Sequence, residues 1–375
     1  MKIDDLTTPC LLLDEVLMTH NIERMRARLR ALGVGFRPHL KTCKSVEVAR
    51  RLMDSPAGPA TVSTLREAEQ FFAAGVTDIL YAVAIAPAKL AQVAALRARG
   101  CDLKITLDSV EAAQAVARTP LGAGGPIPVL IEIDSDAHRS GLAPEAPELL
   151  AVAAALAPGG VVAGVMTHAG GSYDSRDTAA IVAMAEQERA AVVRAAERLR
   201  AAGHDAAIVS VGSTPTASFA TALPGVTEVR AGVFVFQDLV MAGLGVCTPQ
   251  DIALSLLVTV IGHQKSRQWV ITDGGWMASS RDRGTAAQAV DQGYGLVCDA
   301  AGRVMDELIV SGANQEHGIV SRRDGGPIDW TRFAIGTRLR VLPNHACATA
   351  AQHEAYHVVR GGDEVVARWP RFGGW

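Results

Sequence analysis

The sequence has no excess of charge of either sign, no paired cysteines, no membrane-length apolar run and no basic leader. Each lack closes off a class of function. Lysine and arginine number 36 against 39 acidic residues, a formal net charge of −3. No basic block or stripe stands out, so nucleic-acid binding has no electrostatic support. The cysteines, Cys10, Cys43, Cys101, Cys247, Cys298 and Cys347, form no CxxC pair. Their spacing writes neither a disulfide framework nor a tetrathiolate zinc site. Apart from Cys347 they read as small buried apolar residues of a reducing compartment. The apolar runs fall well short of a membrane span. The opening MKIDDLTTPCLLLDE is acidic where a signal peptide is basic. A cytoplasmic protein is expected.

What is there suffices for a large core. The chain has 375 residues, 49% hydrophobic and 20% charged, near globular averages. At about 100–200 residues per domain, this length suits two or three domains, or one large barrel with an extra domain.

The first two-thirds alternate between two kinds of segment. Short apolar runs predict strands at 36–41, 60–64, 79–84, 103–107, 128–134, 161–168, 208–212 and 226–231. Ala/Leu/Arg-rich runs predict helices at 16–32, 45–53, 65–74, 87–99, 110–117, 146–156, 177–202 and 214–220. Thr64 and Ser109 stand where helix caps belong. Gly33, Gly75, Gly100 and Gly203 stand where helices stop. The strand runs are near-continuously apolar, as in parallel strands covered on both sides. Eight strand–helix pairs over about 215 residues are what closes a (β/α)8 barrel. An open doubly wound sheet would need a miscounted element.

After Gly232 the helical periodicity disappears. SLLVTVIG, QWVITDGG, ELIVSG, TRLRVLP and AYHVV read as strands separated by Gly, Asp and Pro. The expected architecture is α/β: a barrel over 16–235 and a mostly β domain made of 1–15 and 236–375. The strand-like TPCLLLDEV fits either domain by itself.

Barrel active sites lie at the C-terminal ends of the strands. The polar residues there are Lys41 after strand one, Arg139 after strand five, and His168 and Tyr173 after strand six. Gly212, Ser213 and Thr214 follow strand seven; Arg230 and Gly232 follow strand eight. The last two loops are the usual phosphate site of such barrels. Gly212-Ser213-Thr214 leads straight into a helix, a turn that suits a phosphate or an ordinary N-cap. Lys41 is flanked by His39 and Lys44. A lysine near other cations, or desolvated, forms Schiff bases readily. A phosphate cradle and a barrel-mouth lysine together point to pyridoxal 5′-phosphate (PLP).

The segments RPHLKTCKS, TLREAEQFFAAGVTDILYAV, VSVGSTPTA, EVRAG, GANQEHG and PNHACAT resemble the fold-type III PLP enzymes of the D-serine dehydratase and D-threonine aldolase group. They span nearly the whole chain. The resemblance implies an alanine-racemase-like barrel plus a β domain. It makes Lys41 the Schiff-base lysine and puts Ser213, Thr214 and Gly232 at the phosphate. It sets Arg139 at the pyridine nitrogen, with Arg230 as the rival.

PNHACAT places His345 and Cys347 two apart, which on an extended segment points both the same way. One imidazole and one thiolate suit zinc. A buried strand with a satisfied histidine and an inert cysteine fits the same spacing. The resemblance makes the pair a divalent metal site, zinc first and manganese or cobalt next, with water and substrate completing the shell. The aldolases generally carry H-x-D there. The resemblance also brings the NQEHG segment, with Asn314, Glu316 and His317, near the metal, and Glu316 and His317 are the candidates for orienting water, His317 as a catalytic residue. GGWMASSRDRGT holds Trp276, Arg281 and Arg283. An arginine is the natural bidentate partner of a second substrate carboxylate.

The implied activity is PLP- and metal-dependent dehydration of a D-3-hydroxyamino acid. The expected substrate is D-threo-3-hydroxyaspartate, giving oxaloacetate and ammonia, with D-serine to pyruvate and ammonia alongside. A D-3-hydroxyamino-acid aldolase with His168 as base is the alternative; a racemase or a non-catalytic PLP-binding protein stands further off. The resemblance also implies a homodimer.

Overall fold

The computed structural model describes all 375 residues. They fall into two compact units, Met25–Gly232 with the last two residues, and Met1–Arg24 with Val233–Gly373. The division lies inside the first helix, α1 (Glu15–Ala31), which follows strand β1 (Cys10–Asp14). No helix is long and apolar enough to cross a membrane.

The unit from Met25 holds eight strands: β2 (Gly35–Phe36), β3 (Ala60–Val62), β4 (Asp78–Ala84), β5 (Asp102–Leu107), β6 (Ile127–Ile133), β7 (Gly160–Thr167), β8 (Ile208–Val211) and β9 (Glu228–Val229). All pair in parallel, in the order β2-β9-β8-β7-β6-β5-β4-β3. A further parallel bridge, His39 to Thr61, joins the two edges, so the eight predicted strands are the eight observed.

Between them run α2 (Val46–Leu52), α3 (Leu65–Ala73), α4 (Leu90–Ala98), α5 (Val110–Ala117), α6 (Glu148–Ala154), α7 (Thr178–Ala201) and α8 (Thr214–Phe219). The helix signals act as read. Thr64 Oγ1 accepts from Glu67 N at 3.0 Å and Glu67 Oε2 accepts from Ser63 N at 2.9 Å, a reciprocal cap. Gly75 and Gly100 end their helices at φ +100° and +96°, where a Cβ is disfavoured.

One feature of the barrel interior is absent from the sequence reading. Arg37, 4% exposed, pairs with Glu228 at 2.8 Å and Asp78 at 2.7 Å. Lys104 bonds Asp78 and Asp102. Asp78, Asp102 and Glu228 are the first residues of their strands. The network therefore closes the end of the barrel opposite the strand tips, where fixed charges serve stability.

The other unit is built on one nine-stranded sheet. It adds β10 (Leu254–Gln264), β11 (Trp269–Thr272), β12 (Leu296–Asp299), β13 (Val304–Ala313), β14 (Gly318–Arg322), β15 (Arg338–Leu342), β16 (Ala355–Val359) and β17 (Ala367–Pro370) to β1. β10 is long enough to serve two neighbourhoods. Its first half pairs with β1 and β15, and its second half pairs with β11 after a bulge between Val260 and Gly262. Because β11 also pairs with β14, the strands β10-β11-β14-β13-β12-β15 form a closed ring. Closure removes exposed edges. β1 lies antiparallel to β10 and parallel to β16, so the undecided TPCLLLDEV segment belongs to this sheet. Three short helices interrupt the strands: α9 (Leu239–Gly243), α10 (Trp276–Ser279) and α11 (Ala346–Ala350).

Candidate active site and metal centre

In the barrel unit the candidate residues stand just past the strand tips. Lys41 follows the His39 bridge by two residues, and its N–H reaches His39 Nδ1 at 3.4 Å. His39 and His168 are both held neutral. Burial, then the Lys41 charge, pushes His168 down to about 3, against the pull of its bond to Gly212. Burial and the charges of Lys41 and Arg230 hold His39 well below its ordinary range. Two neutral imidazoles therefore flank the lysine.

The turn after β8 is shaped by Gly212. A Cβ there would lie 2.0 Å from the Arg230 carbonyl oxygen, so only glycine lets β8 and β9 approach this closely. Its carbonyl accepts from His168 Nδ1 at 2.6 Å. A Cβ at Gly232 would lie 3.0 Å from the His39 carbonyl oxygen. Both glycines thus let neighbouring backbone pack closely at the strand tips. Ser213 is the cap of α8: its hydroxyl accepts from Thr216 N at 3.1 Å and also meets the Ser172 hydroxyl at 2.9 Å. Thr214 is buried beside it. Tyr173 sits in the turn after β7, its ring 6.2 Å from that of His168.

The two rival arginines differ sharply. Arg230 is 4% exposed and donates to Ser210 Oγ and the Thr167 carbonyl, which ties β7 to β8. Arg139 is exposed on its loop and pairs with buried Glu132 at 3.3 Å.

The metal pair lies in the β unit, and its local structure corrects the sequence reading. The segment is not extended throughout. His345 has extended backbone, but it is the N-cap of α11, and Cys347 lies in the first turn of that helix. The two side chains meet all the same, through a hydrogen bond. Buried Asp238 explains how. Its Oδ1 accepts from Met241 N at 2.9 Å and its Oδ2 from Ala346 N at 3.0 Å, capping α9 and pinning the residue between the pair.

His345 Nδ1 bonds Asp282 Oδ2 at 2.7 Å. Burial opposes charge on this ring, but Asp282, Cys347 and Asp238 outweigh it and hold His345 up at about 11. The pocket is one that favours positive charge. A ring nitrogen held by a carboxylate is also the usual arrangement of a ligating histidine. No group of three or more His, Cys, Asp or Glu side chains is arranged to hold an ion. His345 and Cys347 themselves offer one imidazole and one thiol, donor types that zinc takes.

Asp282 carries no motif of its own and lies between two arginines in the sequence. Arg281 lies over the Trp276 ring at 5.2 Å. Arg283 lies over the Tyr294 ring and bonds Asp291 at 2.6 Å. The acid between them is the one that touches His345. Its loop is stitched to the helix segment by Asn344, whose Nδ2 donates to the Asp282 carbonyl at 3.1 Å, and by a bond from Thr349 Oγ1 to the Ser279 carbonyl. The NQEHG segment is the turn between β13 and β14. Its carbonyls at Asn314 and Gln315 accept from Trp276 N and Met277 N at 2.9 and 3.0 Å, and Gly275 allows that approach. The Asn314, Glu316 and His317 side chains are exposed. The turn is thus fixed against Trp276 by backbone.

Comparison with known proteins agrees on one group. Residues 13–239 match the model of the alanine racemase N-terminal domain, and residues 253–359 that of a serine dehydratase domain. The chain is 56% identical over 374 residues to D-threo-3-hydroxyaspartate dehydratase of Delftia sp. (strain HT23), covering 99% of this chain and 98% of that protein. It is 28% identical over 388 residues to D-serine dehydratase of Dictyostelium discoideum, covering 97% and 96%. Among solved structures, a cysteine-to-alanine mutant of D-threo-3-hydroxyaspartate dehydratase in the metal-free form superposes with a TM-score of 0.97 at 55% identity, covering 100% of both chains.

Proposed function

The chain belongs to the D-serine dehydratase-like family of PLP enzymes with an alanine-racemase-type N-terminal domain, and from that premise we propose that it is an ammonia-lyase dehydrating D-threo-3-hydroxyaspartate to oxaloacetate and ammonia. D-serine, giving pyruvate and ammonia, is the second substrate of the same reading. The observation that carries it is the identity of 56% to one dehydratase along 99% of this chain, because that relative spans both candidate sites.

The residues divide the work by position. The loops after β8 and β9, with Gly212, Ser213, Thr214 and Gly232, would seat the cofactor phosphate. Arg230 is committed to Ser210 and Thr167, which favours Arg139 at the ring nitrogen. Bound PLP supplies the electron sink that makes the Cα proton acidic. Lys41 would hold the cofactor aldehyde, and its amine is the base for that proton. His168 and His39, both uncharged, line Lys41 without adding positive charge. His345 and Cys347 hold a divalent ion, zinc by donor type. An ion there supplies Lewis acidity to the β-hydroxyl, which otherwise leaves poorly. Asp282 orients the His345 ring. The substrate loses the Cα proton to Lys41 and the β-hydroxyl as hydroxide, and the enamine left behind hydrolyses to a 2-oxo acid and ammonia. Arg281 and Arg283, which flank Asp282 in the chain, are the carboxylate-binding candidates, and His317 is a water-binding candidate. Arg281, stacked on Trp276 with no ion pair, is the better placed of the two arginines.

The test is a product assay on PLP-loaded enzyme with D-threo-3-hydroxyaspartate, with and without chelator. Oxaloacetate and ammonia, lost on chelation and restored by zinc, are expected. Glycine and glyoxylate in their place would overturn the dehydratase reading in favour of an aldolase.

A further inference from the structure

A carboxylate in the barrel unit has no part in the chemistry above. Glu188 lies in the buried stripe of α7, among Ile181, Ala185, Val192 and Leu199. It is 2% exposed, and its surroundings include Val211, Ala217, Leu223 and Val229. Burial raises its pKa. An acid in such a stripe is costly unless its oxygens are bonded, and a leucine would pack there better.

Its bonds go to the two turns that frame the site. Glu188 Oε1 accepts from Ala169 N at 3.2 Å and from Gly212 N at 2.9 Å. Ala169 is the residue after His168. Gly212 is the residue whose carbonyl accepts from His168 Nδ1 at 2.6 Å. The three residues thus close a ring of contacts around one imidazole. A carbonyl oxygen only accepts, so Nδ1 must carry the hydrogen. In a neutral ring the lone pair then sits on Nε2.

We propose that Glu188 is a positioning residue: by holding Ala169 and Gly212 on a single oxygen, it locks His168 in the Nδ1–H tautomer and presents Nε2 as an acceptor in the site that contains Lys41. The proposal deepens the reading above and rests on His168 lining the cofactor site. The acceptor oxygen, rather than the charge, is the working part. A glutamine keeps that oxygen; a leucine removes it while completing the apolar stripe.

The experiment is 15N NMR of histidine-labelled, PLP-loaded enzyme, with His168 identified by the signals lost in His168→Asn. Wild type and Glu188→Gln are expected to show the Nδ1–H tautomer. Glu188→Leu is expected to show a mixed tautomer and a kcat lowered about 100-fold, as for a misplaced catalytic group, with KM changed far less. A Glu188→Leu enzyme that retains the Nδ1–H tautomer overturns the proposal, as does a Glu188→Gln enzyme that behaves like the leucine variant. If the leucine variant does not fold, the wild-type spectrum still decides: a hydrogen on His168 Nε2 alone defeats it. The tautomer result stands apart from turnover, so a wild-type enzyme inactive on D-hydroxyamino acids would sink the dehydratase reading and leave this measurement intact.

Discussion

In the barrel unit every candidate residue stands just past the end of a parallel strand, whereas in the β unit the metal pair stands at the start of a short helix held by a loop some 60 residues earlier in the chain. The first arrangement is repetitive. Once the strands are counted, His39, His168, Gly212 and Arg230 follow from the count. The second depends on particular side chains. Asp238 pins Ala346, Asn344 ties down the loop of Asp282, and Asp282 turns the His345 ring. A repeated scaffold gives positions by rule, and an irregular one builds them contact by contact.

The comparison breaks most readily at its chemical centre. Lys41→Ala is expected to lower oxaloacetate and ammonia release by about 1,000-fold or more, since both the cofactor link and the proton acceptor go. An alanine variant with near wild-type turnover would remove the barrel site from the mechanism. In the β unit the corresponding change is subtler. Asp282→Asn is expected to weaken zinc binding by about 10–100-fold, read by competition with a chromophoric chelator. Unchanged affinity would mean that the His345 ring is oriented by other contacts.

The smallest expected effect per unit of pH is on stability, and it belongs to the barrel. His39 and His168 are neutral in the fold but titrate near 6.5 once unfolded. Below that pH the unfolded chain binds more protons than the folded one, so stability falls as pH falls. Each histidine contributes a slope of up to about 1.4 kcal/mol per pH unit. For His168 the slope runs out near its folded value of about 3. Melting temperatures of wild type and His168→Gln across this range check the sign: the variant should have the shallower acid limb, and equal slopes count against a neutral buried His168.

The eight barrel strands and their helices were legible because hydrophobic runs, caps and terminal glycines repeat with the fold's own period. Lys41, Gly212 and Arg230 were legible for the same reason. Ser213 shows the limit of that reading: its motif suits both a phosphate turn and a helix cap, and its hydroxyl caps α8. The metal pair was visible as H-x-C, but the helix beginning at Ala346 was not, since PNHACAT is too short to show a period. Asp282 gave no signal beyond being an acid between two arginines. Glu188 did give one: a carboxylate on the apolar stripe of α7, visible in the helical spacing once that stripe is drawn.

The place of β1 carries a consequence for the order of events in synthesis. Residues 10–14 form an inner strand whose two neighbours are Leu254–Leu257 on one side and His357–Val359 on the other. During translation this strand emerges among the first and has no partner until about the last third of the chain exists. The barrel strands from β3 to β8, by contrast, each find a neighbour within a few dozen residues, and only β2 waits for β9. Domains generally fold as units as they leave the ribosome, so the barrel is complete while an apolar CLLL segment still waits. The enzyme carries in residues 10–14 a sticky segment that only residues 254–257 and 357–359 can cover.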